Sequence, residues 1–106
     1  MPDDPSATTN PNAPSEISAE VLAATNIRLR WHGPLDRNTR YHIWRRLNDT
    51  GPFLRVASVQ AGTFTDADVP AGTRDVSYYV VTELEGRTSI GTSEVVAVHL
   101  AESEAA

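Results

Sequence analysis

The sequence predicts an all-β domain, a seven-stranded Greek-key β-sandwich. Three observations support this fold class. Between residues 14 and 100, apolar residues recur with a period of two, turn-forming residues separate the apolar segments, and helix signals are weak. With 106 residues, the chain has room for one hydrophobic core and no second folded unit.

The first two predicted strands each have an apolar and a polar face. Residues 15–23 form the opening strand, whose apolar positions are Ile17, Ala19 and Val21. Residues 27–31 give the clearest alternation, with apolar side chains on one face and arginines on the other: Ile27, Leu29 and Trp31 against Arg28 and Arg30. This strand ends before Pro34, because proline cannot donate to a sheet ladder.

The next three predicted strands cover residues 40–46, 53–59 and 63–65. The first of these alternates one set of side chains with another: Tyr41, Ile43 and Arg45 with His42, Trp44 and Arg46. An Asn-Asp-Thr-Gly-Pro turn at 48–52 separates it from the following strand.

The last two predicted strands are residues 76–82 and a final stretch that ends with residues 94–100. A tight turn at Glu85-Gly86 joins them, because glycine readily takes the positive φ of such turns. The strand at 76–82 could have either of two registers. We favour the one that points Tyr78, Val80 and Thr82 inward, because it leaves the Glu83 carboxylate in solvent.

Composition and charge divide the chain into three parts and exclude several functions. Residues 1–13 are predicted to be a disordered Pro-rich linker without the basic start or apolar run of a secretory signal, and residues 101–106 an acidic tail. The net charge of −5 argues against nucleic acid as a partner, and no apolar run is long enough for a membrane span. The absence of cysteine excludes disulfides and thiol catalysis.

Several short motifs occur in a characteristic order across residues 13–100. They are Ala13-Pro14, Leu29-Arg30-Trp31, Tyr41-His42-Ile43-Trp44-Arg45, Gly51-Pro52-Phe53, Thr63-Phe64-Thr65-Asp66, Pro70-Ala71-Gly72-Thr73 and Tyr78-Tyr79-Val80-Val81-Thr82. In order and spacing, they resemble the fibronectin type III domain, and more narrowly its bacterial extracellular variants. The resemblance implies an immunoglobulin-like sandwich with Trp31, Tyr41, Ile43, Phe64 and the strand at 76–81 in the core. It also implies an extracytoplasmic location, secreted or at the cell surface.

One departure from the family pattern concerns the tyrosine that follows the Gly-Thr corner. Four residues separate Thr73 from Tyr78 in this chain. Either the corner is longer by about two residues, or Tyr78 takes that role in a shifted register.

Residues that could carry catalysis or bind a metal are scattered. His32, His42 and His99 lack zinc-site spacing, so we interpret them as surface or edge histidines, with a loop pair of His32 and Asp36 as a weaker alternative. Calcium is the alternative interpretation of four loop aspartates, but turn formation is favoured for all of them: Asp36, Asp49, Asp66 and Asp68. Neither a Gly-x-Ser-x-Gly elbow nor a phosphate-binding loop is present. The sequence therefore predicts a non-enzyme with no catalytic, cofactor or metal site.

The remaining candidates are binding surfaces on the predicted outer faces. They are Trp44, Arg46 and His42 on one strand, with Arg28 and Arg30 on another that the family's sheet order places in the opposite sheet. Trp44 is either an interface anchor or a ring that lies over neighbouring arginine stems, and the second interpretation is favoured. The loops at 32–39 and 83–87 form another candidate, although the family's Arg-Gly-Asp motif is missing there.

The predicted function is that of a non-catalytic structural or spacer module in a larger, extracytoplasmic bacterial protein. Its partners are then neighbouring domains of the parent protein or another protein, and we expect the isolated domain to be monomeric. The alternative is a protein- or glycan-binding module that uses the Trp/Arg face or the loop end. Catalysis remains only as the activity of a neighbouring domain that this chain would assist.

Overall fold

The computed structural model describes residues 13–23, 25–35, 37–84 and 87–100, which form an all-β sandwich. Its strands are β1 Ser15–Ala23, β2 Asn26–His32, β3 Thr39–Leu47, β4 Leu54–Val59, β5 Thr63–Asp66, β6 Asp75–Leu84, β7 Arg87–Thr92 and β8 Val96–His99. One antiparallel sheet has the order β1-β2-β5, and the other has the order β4-β3-β6-β7, with β8 also paired to β6. The predicted fold class is confirmed.

The three-stranded sheet is centred on β2, where the predicted alternation is observed. Ile27 and Leu29 are completely buried and Trp31 is 4% exposed, whereas Arg30 is exposed. Leu29 stands opposite Ala19 of β1 and Phe64 of β5, both of which pack against the core. The inner face of β2 therefore forms one wall of the core, as predicted.

The five-stranded sheet is centred on β3 and β6, which pair over nine positions from Thr39↔Leu84 to Leu47↔Val76. Tyr41 and Ile43 of β3 are completely buried and belong to the core, as expected from the family resemblance. β4 pairs with β3 alone and so forms an edge of this sheet within the described part of the chain.

The predicted final strand is observed as two strands, so the described part of the chain forms eight strands rather than seven. β8 pairs with the first half of β6 and β7 with the second half. Between them, Ser93 donates its N–H to the Val80 carbonyl at 2.8 Å, and its hydroxyl oxygen accepts the Val80 N–H at 2.9 Å. A side chain thus replaces a main-chain carbonyl in the ladder, and this interrupts the regular strand.

The favoured register of β6 is confirmed. Tyr78 and Val80 are completely buried and Thr82 is nearly so, whereas Glu83 lies on the outer face beside His42. Tyr78 is the core tyrosine after the corner, but its hydroxyl binds the carboxylate of Asp66 on the opposite sheet rather than the corner backbone. Thr73 closes the corner itself, since its N–H and hydroxyl both donate to the Pro70 carbonyl.

Asp66 joins the two sheets at the end of β5. Its carboxylate accepts two hydrogen bonds from Arg45 Nη1, at 2.9 and 3.2 Å, and one from the Tyr78 hydroxyl at 2.6 Å. Asp66 Oδ1 also accepts the N–H of Asp68 at 3.1 Å, which agrees with the predicted turn-forming role. Because the carboxylate is 3% exposed, its charge is balanced inside the protein by Arg45.

Several expectations concern residues outside the described part of the chain. These are the linker other than Ala13, the acidic tail, Asp36 and the turn at Glu85-Gly86. Among the described residues, no helix has the length and hydrophobicity needed to cross a membrane.

Candidate functional site

Three aromatic rings and one arginine cluster on the outer face of the five-stranded sheet. We call Trp44, Phe53, Tyr79 and Arg46 the aromatic face. Trp44 of β3 stands opposite Tyr79 of β6, and their rings are nearly parallel, at 6° with centroids 6.0 Å apart. Phe53, which precedes β4, meets Tyr79 edge-on at 4.8 Å.

Arg46 completes the aromatic face. Its guanidinium carbon lies 4.8 Å from the centre of the Phe53 ring, within the range of a cation–π contact. Its Nη2 also donates to Asp49 Oδ1 at 3.0 Å, so the cation already has a counter-charge. The Asp49 side chain is 75% exposed, which leaves this ion pair open to solvent and to competing ligands.

Trp44 lies on the outer face of the sheet, the position that the sequence predicts for it. Trp44 is half-buried against Tyr79, its cross-strand neighbour on β4 is Arg55, and the Arg46 guanidinium lies over Phe53. Tyr79 and Phe53 were missed as members of the site. Only the cross-strand register of β3 and β6 identifies Tyr79 as the neighbour of Trp44, and the sequence alone does not determine that register.

His42 is a correction to the predicted binding surface. It lies on the outer face, but it is 6% exposed rather than open to a partner. Its Nδ1 is 2.7 Å from the Ser58 hydroxyl on β4, and its Nε2 is 2.6 Å from Glu83 Oε1 on β6. Both ring nitrogens are occupied by neighbouring strands, so His42 crosslinks the sheet surface instead of offering a free donor.

Arg28 and Arg30 lie on the other sheet, away from the aromatic face. β2 belongs to the three-stranded sheet and β3 to the five-stranded one, which confirms that the predicted residues form two patches. Arg28 is 3.9 Å from Glu20 of β1, whereas Arg30 is exposed. The structure therefore gathers Trp44 and Arg46 and leaves Arg28 and Arg30 as a separate surface.

The other two histidines form local pairs. His32 lies 3.2 Å from Glu16 and His99 2.7 Å from Asp75, all with exposed side chains. The alternative partner of His32, Asp36, is outside the described residues. Among the described side chains, no three histidine, aspartate or glutamate residues converge as metal ligands.

The loop end is described only in part. The Tyr41 hydroxyl donates to the Pro34 carbonyl and Gln60 Nε2 donates to the Arg37 carbonyl, so the loop at 32–39 is tied to the body of the sandwich. Glu85 and Gly86 of the second loop lie outside the described residues.

Comparison with solved structures shows which fold this is. Domains A168–A170 of titin match 85% of this chain at a TM-score of 0.71 and 18% identity. A Fn3-like protein from Clostridium thermocellum matches 84% at 0.67 and 23% identity, and the FN3 domain of human collagen XX matches 83% at 0.65 and 21% identity. The chain thus has the fibronectin type III fold. At the level of sequence, no protein-family model and no curated protein matches the chain.

The matched proteins differ in length. This chain spans 32% of the titin fragment, but 92% of the Clostridium protein and 90% of the collagen XX domain. The same fold therefore occurs both as one domain among several and as a separately solved unit.

Proposed function

We propose that this fibronectin type III fold serves as a non-catalytic spacer module in a longer protein. The observation that carries the proposal is its likeness to the titin fragment, of which it spans 32%, so that the matching fold there accompanies further domains. The buried Arg45–Asp66 pair, which ties the two sheets together, suits a module that holds its neighbours at a fixed separation.

The size and location of the native polypeptide test this proposal. An antiserum against this domain is applied to fractionated source cells. We expect a band far above 11.5 kDa in the envelope or the medium. A band near 11.5 kDa in the cytosol would contradict the spacer role, because no neighbouring domains would then exist to be spaced.

An extracytoplasmic location and a bacterial parent protein are part of the proposal. The location rests on the sequence resemblance, and the Fn3-like protein from Clostridium thermocellum supports a bacterial setting for the fold. The fractionation experiment tests the location directly.

A second candidate function is recognition of a protein or a glycan through the aromatic face. The specific observation in its favour is that Trp44, Tyr79 and Phe53 lie together on one sheet surface beside Arg46. Large aromatic side chains and arginine are the residues that most often contribute strongly to interfaces.

Trp44→Ala separates recognition from packing. The variant and the unmodified protein are compared on a polysaccharide array and in thermal melts, with Arg30→Ala on the other sheet as the control. Lost binding in a variant that still unfolds cooperatively supports recognition. A lowered midpoint with no binding in either protein shows that the rings only stabilise the sheet.

A further inference from the structure

A groove of about 380 Å³ lies beside the β3–β4 hairpin, at the edge of the five-stranded sheet. Leu47, Pro52, Leu54 and Val56 supply its apolar surface, and Arg45 and Arg55 also line it. Leu54 is 63% exposed, so its side chain adds accessible apolar surface to the groove. The groove is therefore an apolar surface that the described residues leave uncovered.

The register of β3 and β4 places Arg45 and Arg55 on opposite faces of the sheet. Leu54 stands opposite Arg45, whose guanidinium reaches Asp66 of the other sheet, so this pair faces inward. Arg55 stands opposite Trp44 and so faces outward. A register shift between Ile43 and Trp44 marks a bulge here, and bulges redirect side chains at sheet edges.

The two arginines also differ in whether they are paired. Arg45 is neutralised by Asp66, at 2.9 Å. Arg55 is exposed and forms no ion pair with a described side chain. The groove thus combines an apolar inner floor with one uncompensated positive charge on the outer side.

The outer edge of β4 pairs with no other strand in the described part of the chain. Edge strands of natural sheets are protected by short length, prolines, charges, bulges or a covering segment. β4 contains no proline and only one charged residue, Arg55. With its bulge and single charge, β4 is only partly protected, and no described segment covers its outer edge.

We propose that β4 and this groove bind an extended peptide in which apolar and acidic side chains alternate, added as a further antiparallel or parallel strand. Alternate side chains of a strand point to opposite faces, so the apolar ones reach Leu54 and Val56 while the acidic ones reach Arg55. A second copy of β4 is a poorer occupant because β4 has no acidic residue to offer Arg55.

A labelled seven-residue peptide of alternating valine and glutamate is the probe. Its binding to the full chain is followed by fluorescence anisotropy at low ionic strength, where surface charge pairs are strongest. The first control peptide replaces each glutamate with lysine. The second has every backbone nitrogen methylated, which prevents strand pairing by either edge of the peptide but keeps the side chains.

Two protein variants test the two faces of the groove. Arg55→Glu removes the charge complement and is expected to weaken binding of the glutamate peptide about fivefold, with Arg30→Glu on the other sheet as a matched control that leaves it unchanged. Leu54→Ser removes the exposed apolar side chain of the groove. It is also expected to weaken binding of the glutamate peptide. Thermal melts of each variant verify that the fold is intact.

Three results would overturn the proposal. One is the absence of saturable binding up to about 1 mM peptide. Another is binding that survives backbone methylation, because the peptide would then contact side chains only. The third is concentration-dependent dimerisation of the protein that Leu54→Ser abolishes, since a second copy would then occupy the edge. None of these results bears on the spacer role, which the size of the native polypeptide decides.

Discussion

Tyr78 on β6 donates a hydrogen bond of 2.6 Å to the carboxylate of Asp66 at the end of β5, and so links the two sheets through a buried acid. Arg45 of β3 also donates to this carboxylate, at 2.9 Å. Three strands from both sheets therefore meet at one charged group. The stability of the sandwich therefore depends on the hydroxyl proton that Tyr78 donates to Asp66.

Tyr78→Phe is expected to destabilise the protein by about 1.5–3 kcal/mol, because it removes a hydrogen bond to a charged group in the core. Urea unfolding followed by tryptophan fluorescence measures the change. Tyr79→Phe is the control, since its hydroxyl makes no hydrogen bond to any described residue. Equal effects of the two substitutions would show that the bond to Asp66 contributes nothing.

Alkaline pH should weaken the fold through the same tyrosine. Burial raises the pKa of Tyr78, and the hydrogen bond to Asp66 raises it further. The folded protein therefore keeps a phenol proton that the unfolded chain loses above a pH of about 10, and the unfolding free energy decreases with rising pH from that point.

The slope of the unfolding free energy against pH checks this prediction. For one group, the unfolding free energy falls by at most about 1.4 kcal/mol per pH unit. Tyr78→Phe should show a smaller decline than the unmodified protein, and Tyr79→Phe should not. If all three proteins lose stability in parallel above pH 10 or so, the decline arises from other groups.

Asp66→Asn should destabilise the protein by about 3 kcal/mol, because Arg45 then lacks a counter-charge. We expect the lower part of the range for buried pairs, since the Arg45 side chain keeps 15% exposure. Asp49→Asn breaks the solvent-exposed pair with Arg46 and should change stability by less than about 1 kcal/mol. Chemical denaturation measures the unfolding free energy of both variants. Similar losses for Asp66→Asn and Asp49→Asn would show that the buried pair contributes no more than the exposed one.

The fold was predictable where a strand has one buried face. In β2, Ile27, Leu29 and Trp31 alternate with arginines, and a period of two is a local property of the sequence. The orientation of Tyr78 was also predictable, because the opposite register would have buried Glu83.

The candidate site was less predictable because it depends on pairing between distant segments. His42 was expected to be exposed, but it lies between Ser58 and Glu83, which are 16 and 41 residues away in the sequence. Phe53 reaches Tyr79 only because β3 pairs with both β4 and β6. Local alternation identifies the face of a strand but not the side chains that flank it on neighbouring strands.

Trp31→Ala is expected to cost about 3–5 kcal/mol, because it creates a cavity beside the edge-on contact of Trp31 with Tyr41. Trp44→Ala truncates the other tryptophan, which is only half-buried, and should cost less. Thermal or urea unfolding ranks the two. A midpoint that shifts more for Trp44→Ala than for Trp31→Ala would contradict the assignment of Trp31 to the core.

Gly33→Ala should destabilise the sandwich through a single atom. A Cβ at Gly33 would overlap the hydroxyl of Tyr41 and lie 3.1 Å from its Cζ. Tyr41 is completely buried and its hydroxyl donates to the Pro34 carbonyl, so the ring cannot withdraw without losing that bond. The expected cost is about 1–3 kcal/mol, as for other overpacked positions.

A double-mutant cycle with Tyr41→Phe identifies the cause. Because phenylalanine lacks the overlapping oxygen, Gly33→Ala should cost less than half as much in that background. Gly51→Ala serves as the control, since its cost arises from a φ of 73° with no atom near the new Cβ, and it should add to Tyr41→Phe without coupling. Additive costs for Gly33→Ala and Tyr41→Phe would show that the loop shifts to accept the methyl group, and that glycine is not required at the start of this loop.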